Sequence, residues 1–306
     1  MKKRHALKGS GVRRGLQIKS DKKDKRRLRR VERKLALDPD QKSNNTNDYD
    51  RLIAKAIPND DIKVEMRPLM SEGIIPAPLS SVVFVGGTGT GKSNTLLNWL
   101  LHPDFYKDYF SDVLLFSSTA KMDPLFQRAG IPKKNIFDTD IKGKLTEILA
   151  AQKKEVESKG SAKAKLKLLI FEDSTSNGKL LKSRDLIQLF TAGRHLRLTV
   201  FLVCHKYKSI PPVIRLNASS LVVFPSNNSQ LYQLFEDYGQ AGVHKKDFYQ
   251  LVRYAWTPTE SDKRPYLYID NKSKMDKKYL RKGLGEFLCP EGCPGYESEP
   301  EESESE

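Results

Sequence analysis

Short apolar runs alternate with longer amphipathic stretches through the central part of the chain. The short runs have the length and composition of strands, and the longer stretches space their apolar residues as a helix does. Strands are predicted at 81–85, 112–117, 166–171, 198–204, 219–224 and 266–270. Helices are predicted at 92–101, 123–129, 142–157, 182–192, 228–238 and 245–254. This alternation predicts an α/β fold with a mostly parallel sheet flanked by helices on both faces.

The flanking segments differ from this region in composition. Residues 1–34 carry sixteen lysines and arginines against three acids, which predicts a disordered basic arm. Residues 35–61 are predicted to be a polar linker, residues 62–288 the globular domain, and residues 289–306 an acidic disordered tail. The arm is typical of a nucleic-acid-binding segment, a nuclear localisation signal or a solvated tail, and these three interpretations stay open.

The 306-residue chain has a net charge of +16, and 38% of its residues are hydrophobic, enough for a sizeable core. No apolar run approaches the roughly 18–20 residues that span a bilayer, and the N-terminus lacks the apolar core of a signal peptide. We therefore expect a soluble, intracellular protein that is neither secreted nor membrane-bound. Cys289 and Cys293 have no second pair nearby to complete a zinc site, so a metal-free thiol pair is favoured.

A complete phosphate-binding motif, Gly-x-x-x-x-Gly-Lys-Ser, follows the first predicted strand at residues 86–93. It lies between a strand and a helix, which is the context that the motif requires. Its glycines let backbone N–H groups converge on phosphate oxygens, and the helix N-terminus adds partial positive charge. The predicted nucleotide-binding residues are Gly86, Gly87, Thr88, Gly89, Thr90, Gly91, Lys92, Ser93 and Asn94.

The strand predicted at 166–171 is followed by two acids, Glu172 and Asp173. Ligands of open α/β sheets bind at this carboxyl end of the strands. One carboxylate is expected to hold Mg²⁺ together with the Ser93 hydroxyl, and the other to orient or deprotonate the attacking water. We assign Glu172 to the metal and Asp173 to the water, and the reverse assignment stays open. Lys92 is expected to reach the β- and γ-phosphates, so ATP and Mg²⁺ are the predicted cofactors.

The strand predicted at 198–204 is followed by His205. In P-loop ATPases with an additional strand and a catalytic acid, this strand lies between the acidic strand and the phosphate-loop strand. Its tip carries a polar sensor residue, and His205 occupies that position. A histidine with only a structural role is the alternative. The predicted fold class is accordingly a P-loop NTPase of the additional-strand, catalytic-acid type.

The order of these motifs resembles the viral genome-packaging ATPases of the poxvirus and giant-virus type. These also occur in virophages and related DNA transposons, within the FtsK–HerA superfamily. The resemblance spans roughly residues 75–275 and is most specific at Gly193-Arg194-His195 and at the segment Ile210–Asn217. Two departures concern the fine mechanism: His205 replaces the usual glutamine, and Glu-Asp replaces the commoner Asp-Asp or Asp-Glu.

The resemblance implies an ATP-hydrolysing translocase that packages double-stranded DNA into a preformed viral capsid. It also implies a homo-oligomeric ring, expected to be a hexamer, and viral capsid proteins of the portal or vertex as partners. The expected location is the nucleus or cytoplasmic virus factory of an infected host cell, or the virion.

In such rings each site is completed by an arginine from the neighbouring subunit, and Arg194 and Arg215 are the candidates. We prefer Arg215, because the Arg-x-Asn segment is expected near the carboxyl edge of the sheet. For either residue the alternative is a purely structural arginine.

Three other functions are weighed against packaging. A DNA helicase or conjugation-type DNA pump would share the core motifs, so the resemblance alone favours packaging over it. A non-motor, nucleotide-gated DNA-binding protein would share the phosphate loop, but it would not need the acidic pair Glu172–Asp173. A small-molecule kinase is disfavoured, because the basic chain shows no recognisable acceptor or lid motif.

Overall fold

The computed structural model describes residues 64–120, 124–172, 178–239, 244–272 and 280–288. All of them belong to one compact unit, Asp60–Glu306. The predicted basic arm, linker and acidic tail lie outside the described residues, as do Asp173 and the pair Cys289 and Cys293. The domain boundaries given above therefore stay predictions.

The described residues form a nine-stranded sheet and helices on its two sides. The strands are β1 Ser81–Val85, β2 Asp112–Phe116, β3 Ile136–Phe137, β4 Lys167–Phe171, β5 Leu198–Cys204, β6 Ser220–Val223, β7 Leu267–Asp270, β8 Leu280–Lys282 and β9 Glu286–Leu288. The α-helices are α1 Pro68–Ser71, α2 Lys92–Leu101, α3 Pro124–Arg128, α4 Ile141–Lys159, α5 Gly178–Leu181, α6 Arg184–Ala192, α7 Pro212–Asn217, α8 Asn228–Tyr238 and α9 Lys245–Ala255. Short 3₁₀ helices occur at Lys133–Asn135, Gly193–Leu196 and Tyr207–Ser209.

The strand order is β3-β2-β4-β5-β1-β6-β7-β8-β9. The six strands from β3 to β6 are parallel, whereas β7, β8 and β9 pair antiparallel at one edge. The predicted α/β class and mostly parallel sheet are thus confirmed, and β5 lies between β4 and β1 as predicted. Strands β3, β8 and β9 were not predicted, because they are two or three residues long and lack an apolar run.

Two apolar clusters lie on opposite faces of the sheet. In β1, Val83 and Val85 belong to one cluster, and Val82 and Phe84 belong to the other. Successive side chains of a strand point to opposite faces, and helices cover both, so every residue of β1 and β5 is buried. A sheet packed in this way holds the loops at its carboxyl edge in place. Among the described residues, no helix is long and apolar enough to cross a membrane.

Helix α2, which follows the phosphate motif in the sequence, packs against the sheet. Trp99 is buried, and its ring meets that of Phe84 edge-on with the centroids 5.2 Å apart. Aromatic pairs in this geometry contribute about 0.5–1.5 kcal/mol beyond the area they bury. Because Phe84 belongs to β1 and Trp99 to α2, the contact fixes both elements that flank the loop.

Candidate nucleotide site

The loop between β1 and α2 requires glycine both for its backbone conformation and for space. Gly89 and Gly91 have φ angles of +77° and +112°, which residues with a side chain rarely adopt. A Cβ added at Gly86 would lie 2.6 Å from the Cβ of Phe224, and one at Gly91 would lie 2.9 Å from Cδ of Arg264. The sequence motif therefore reflects close packing of the loop as well as its function.

Lys92 opens helix α2 and is only 6% exposed. Its ammonium donates a hydrogen bond of 2.7 Å to the carbonyl oxygen of Gly87, and so lies across the loop. The first N–H groups of α2 have no partner within their own helix, and they lie at the same end of the loop. A cation and a helix N-terminus at one place form a site for phosphate.

The structure brings Ser93 and Glu172 together, although they are 79 positions apart in the sequence. The Ser93 hydroxyl donates a 2.5 Å hydrogen bond to Oε1 of Glu172. Glu172 directly follows β4, is 7% exposed, and is held by a 2.9 Å hydrogen bond from its own N–H to the carbonyl oxygen of Phe116. A buried carboxylate thus faces the residue that ends the phosphate motif.

These two oxygen ligands fit Mg²⁺. Mg²⁺ in nucleotide sites is usually held by one or two protein ligands, with substrate phosphates and waters completing its octahedron. No cluster of three or more His, Cys, Asp or Glu suited to a metal ion occurs among the described residues. One hydroxyl and one carboxylate are enough for Mg²⁺ that binds together with the nucleotide, because the phosphates and waters supply the other ligands.

His205 follows β5 and is part-buried. Strand β5 is held against the phosphate loop by a 3.1 Å hydrogen bond from the Gly86 N–H to the carbonyl oxygen of Cys204. Because β5 lies between β4 and β1, His205 occupies the same edge of the sheet as Glu172 and the loop. The predicted placement is therefore found, while the sensor role of His205 and the catalytic role of Asp173 stay predictions.

Arg215 lies elsewhere than its segment was expected to lie. The Ser81 hydroxyl donates a 3.3 Å hydrogen bond to the carbonyl oxygen of Asn217, and Ser81 is the first residue of β1. The Arg-x-Asn segment therefore reaches the amino edge of the sheet, opposite the phosphate loop, and the expectation of a place at the carboxyl edge is wrong. The reason is that α7 runs antiparallel to the strands that it connects.

The side chain of Arg215 is also enclosed within its own subunit. Its Nε lies 3.0 Å from Oδ2 of Asp237, and both side chains are nearly buried, at 7% and 11% exposure. The guanidinium carbon lies 4.9 Å from the centre of the Tyr207 ring. Burial raises the pKa of Tyr207, so its hydroxyl stays protonated and donates a 2.6 Å hydrogen bond to the same Asp237 oxygen. This network favours a structural role for Arg215.

Replacing Arg215 with alanine should therefore destabilise the fold. The change leaves the carboxylate of Asp237 buried without its cation, which costs about 3–5 kcal/mol. Urea unfolding followed by circular dichroism measures the loss of unfolding free energy. The matched variant is Arg194→Ala, for which we expect a change within about 0.5 kcal/mol, because its side chain is exposed. Equal stability of the two variants would contradict the structural role.

Arg194 lies in the 3₁₀ helix Gly193–Leu196, just before β5, and thus at the amino edge of the sheet. It is exposed, and the hydrogen bond that it makes is a weak one of 3.4 Å from its Nε to Nε2 of His195. No carboxylate of the described residues forms an ion pair with it. Of the two candidate arginines, Arg194 is the one that presents its charge to solvent.

Arg264 contacts the phosphate loop but was not predicted to do so. Arg264 precedes β7, and its side chain packs on Gly91 so closely that a Cβ there would meet its Cδ and Cβ. The pairing of β7 with β6 brings this residue to the loop from 173 positions further along the chain. No spacing rule of the phosphate motif extends that far, so the sequence carries no signal for this contact.

The parallel sheet, its strand order and the loop at residues 86–93, with Glu172 beside it, define a P-loop ATPase of the additional-strand class. The poxvirus A32 protein family matches residues 74–279. The chain belongs to this family, which confirms the predicted resemblance and makes the protein a genome-packaging ATPase.

The chain is also similar to individual proteins. The uncharacterized protein 075L of Invertebrate iridescent virus 6 is 29% identical over 196 residues, which cover 64% of this chain and 72% of that protein. The genome-packaging NTPase B204 of Sulfolobus turreted icosahedral virus 2, solved with AMPPCP, is 13% identical with a TM-score of 0.48, covering 67% of this chain and 96% of that one. The DNA-packaging ATPase B204 of Sulfolobus turreted icosahedral virus is also 13% identical, with a TM-score of 0.49 and coverages of 67% and 97%.

Proposed function

We propose that this protein is a ring-forming, ATP-driven translocase that moves double-stranded viral DNA into a preformed capsid. The observation that carries the proposal is the contact of Ser93 with Glu172 next to Lys92, in a chain of the poxvirus A32 family. A buried carboxylate held against a phosphate loop suits binding of nucleotide with Mg²⁺. The acid that follows it in the sequence, Asp173, supports hydrolysis, because a protein that only binds nucleotide has no need of a second acid.

In this proposal the loop N–H groups and Lys92 bind the β- and γ-phosphates. Ser93 and Glu172 would hold Mg²⁺, which when bound neutralises charge that develops on the phosphate oxygens. Asp173 takes a proton from the attacking water or orients it, and His205 hydrogen-bonds the γ-phosphate or that water. Burial of Lys92 and Glu172 keeps bulk water from screening these charges.

A ring arrangement gives Arg194 a catalytic role. An arginine supplied by a neighbouring subunit stabilises the charge of the transition state and is worth about 10³–10⁵-fold in turnover. We assign this role to Arg194 rather than Arg215, because Arg194 is exposed while Arg215 is enclosed by Asp237 and Tyr207. The ring is proposed to contain six copies, as the family resemblance implies.

DNA is the proposed polymer because the chain is strongly basic, with a net charge of +16. Contacts of lysine and arginine with phosphates are independent of sequence and weaken as salt rises. Residues 1–34 are proposed to supply many of these contacts. Portal or vertex proteins of the capsid are the proposed docking partners, in an infected cell or in the virion.

Translocation is tested with a short third strand bound as a triplex on linear duplex DNA. We expect ATP-dependent displacement of the third strand, and DNA-stimulated ATP hydrolysis at the same protein concentrations. Forked duplexes without a third strand serve as the control. Strand separation of the fork instead of triplex displacement would favour a helicase, and absence of both activities would contradict the motor.

A truncated chain tests whether the basic arm, residues 1–34, binds DNA. A chain that begins at residue 35 should retain ATP hydrolysis without DNA but bind DNA less tightly. Its binding should also depend less steeply on salt, because every phosphate that the arm neutralises adds about 0.9 to the slope of log affinity against log salt. An unchanged slope would show that the arm does not bind DNA phosphates.

A further inference from the structure

A cavity of about 230 Å³ opens at the amino edge of the sheet, on the side opposite the phosphate loop. It lies where β1, β5 and β6 begin, next to the 3₁₀ helix that carries Arg194. Lys272, two residues past the end of β7, lines it together with Arg194. The hydroxyl residues Ser80, Thr191 and Ser219 also line it.

Two cations therefore converge on this cavity. The Lys272 ammonium donates a 3.2 Å hydrogen bond to the hydroxyl oxygen of Ser80, while the residue as a whole is exposed. Packing around the ammonium lowers the pKa of Lys272, the charge of Asp270 raises it, and the charge of Arg194 lowers it by a smaller effect. The two positive charges are thus close enough to repel each other, an arrangement that an anion between them would relieve.

One carboxylate, that of Asp270, acts on Lys272 from outside the lining of this cavity. The lining contains no Asp or Glu among the residues that the structure describes. The nearby Asp270 accepts hydrogen bonds from the Arg281 guanidinium, at 3.0 Å, and from the Lys272 backbone N–H, also at 3.0 Å. Lys272 forms no ion pair with a carboxylate of a described residue. Two cations and several hydroxyls, with no acid in the described lining of the cavity, suit an oxyanion.

The size of the cavity limits what enters it. Pockets that enclose a drug-sized molecule measure about 300–1,000 Å³. A cavity of about 230 Å³ instead suits the end of a polyphosphate chain.

The phosphate cannot belong to the nucleotide of the same subunit. Strand β1 has five residues and separates the cavity from the phosphate loop. At about 3.3 Å per residue the two sites are roughly 16 Å apart, beyond the reach of a lysine or arginine side chain. The phosphate must therefore come from another molecule.

We propose that this cavity receives the terminal phosphate of a nucleotide bound by a neighbouring copy of the chain, and that Lys272 contacts this phosphate beside Arg194. The proposal rests on the ring put forward above and adds a second trans-acting cation to it. Removing one such donor should lower ATP turnover about 10²-fold. In the monomer, binding of nucleotide to the variant's own phosphate loop should be unchanged.

The test mixes two inactive variants of the full-length chain. A Lys272→Met subunit keeps its own phosphate loop but offers a defective cavity, whereas a Lys92→Ala subunit offers an intact cavity but lacks the lysine of the loop. We expect each alone to be inactive and a 1:1 mixture to recover hydrolysis. In a head-to-tail ring, each site combines the phosphate loop of one subunit with the cavity of the next. In a random 1:1 mixture about a quarter of the interfaces join an intact loop to an intact cavity, so recovery reaches up to about a quarter of the native rate. No recovery from rings shown by mass photometry to contain both variants overturns the proposal.

Controls separate this proposal from the one on which it rests. Arg194→Gln is mixed with Lys92→Ala in the same way. Recovery with Arg194→Gln but not with Lys272→Met retains the ring and its arginine and overturns the role of Lys272. Failure of the native chain to form rings with nucleotide overturns both the role of Lys272 and the proposed ring. Lys153→Met, in which an exposed lysine of α4 is replaced, should hydrolyse ATP at the native rate.

Two further measurements complete the test. Fluorescent ATP analogues should bind monomeric Lys272→Met with the affinity of the native monomer, because the cavity is remote from the phosphate loop of its own subunit. Lys272→Gln is the second variant, to be used if Lys272→Met does not give the native circular dichroism spectrum. A lower salt slope of DNA binding in either variant, without recovery of hydrolysis on mixing, would assign the cavity to DNA phosphates and overturn the nucleotide as its ligand.

Discussion

Replacing Lys92 with alanine should abolish DNA-stimulated ATP hydrolysis while the fold is retained. The variant loses the cation that lies across the phosphate loop, and with it stabilisation of charge on the transferred phosphoryl group. We expect turnover to fall by at least about 10²-fold, the effect of removing one preorganised donor from a site where charge develops. Initial rates at saturating ATP, with and without duplex DNA, measure this loss.

The fold should survive because the substitution removes a contact within the phosphate loop and leaves the apolar core intact. The hydrogen bond to the Gly87 carbonyl oxygen contributes about 1 kcal/mol, and alanine is a better helix former than lysine at the start of α2. Thermal unfolding should therefore show at most a small shift. The matched control is Lys153→Ala on the exposed face of α4, which should keep native turnover. Full activity of Lys92→Ala would reject ATP hydrolysis at this loop.

Long buried strands could be predicted from the sequence, and short ones could not. All six predicted strands occur, because parallel strands covered on both faces must be apolar along their whole length, as in Leu198–Cys204. Strands β3, β8 and β9 have two or three residues, and β8 contains Arg281 and Lys282. Pairing with a neighbouring strand, rather than local composition, makes such segments extended.

Helix α7 illustrates a similar limit. Its six residues, Pro212–Asn217, show too little periodicity for a prediction, although Pro212 is a typical first residue of a helix. The direction of α7 determines where Arg215 lies, and that direction follows from the crossover between β5 and β6. An error about the helix therefore became an error about the place of the arginine.

The residues of the candidate site could likewise be predicted only in part. The phosphate loop and Glu172 could be predicted, because a motif and the end of an apolar strand can each be recognised from neighbouring residues in the sequence. Whether an arginine is exposed or enclosed depends on residues far along the chain: Arg215 meets Asp237, 22 positions later. Arg194 and Lys272 share a cavity although 78 positions separate them, which only the packing of the sheet reveals.

The second large effect concerns the two acids after β4, which should respond differently to isosteric substitution. Asp173→Asn should bind ATP and Mg²⁺ normally but hydrolyse ATP about 10²–10⁴-fold more slowly, the usual contribution of a general base. Glu172→Gln should instead weaken binding in the presence of Mg²⁺, because it removes the charge beside the Ser93 hydroxyl. Titration of a fluorescent ATP analogue with Mg²⁺ and with EDTA separates the two effects, and single-turnover rates measure hydrolysis.

Both substitutions keep the size of the side chain, so neither should disturb the packing of β4. In Glu172→Gln the amide oxygen could still accept the hydrogen bond from Ser93, which isolates the effect of charge. If Asp173→Asn loses the Mg²⁺-dependent part of binding and Glu172→Gln loses only the rate, the two acids have the opposite roles. Native turnover in both variants would contradict hydrolysis by this pair altogether. The contact between Glu172 and Ser93 leads us to expect the first pattern. A carboxylate 2.5 Å from the hydroxyl that we propose as a ligand of Mg²⁺ is placed for the metal rather than for the water.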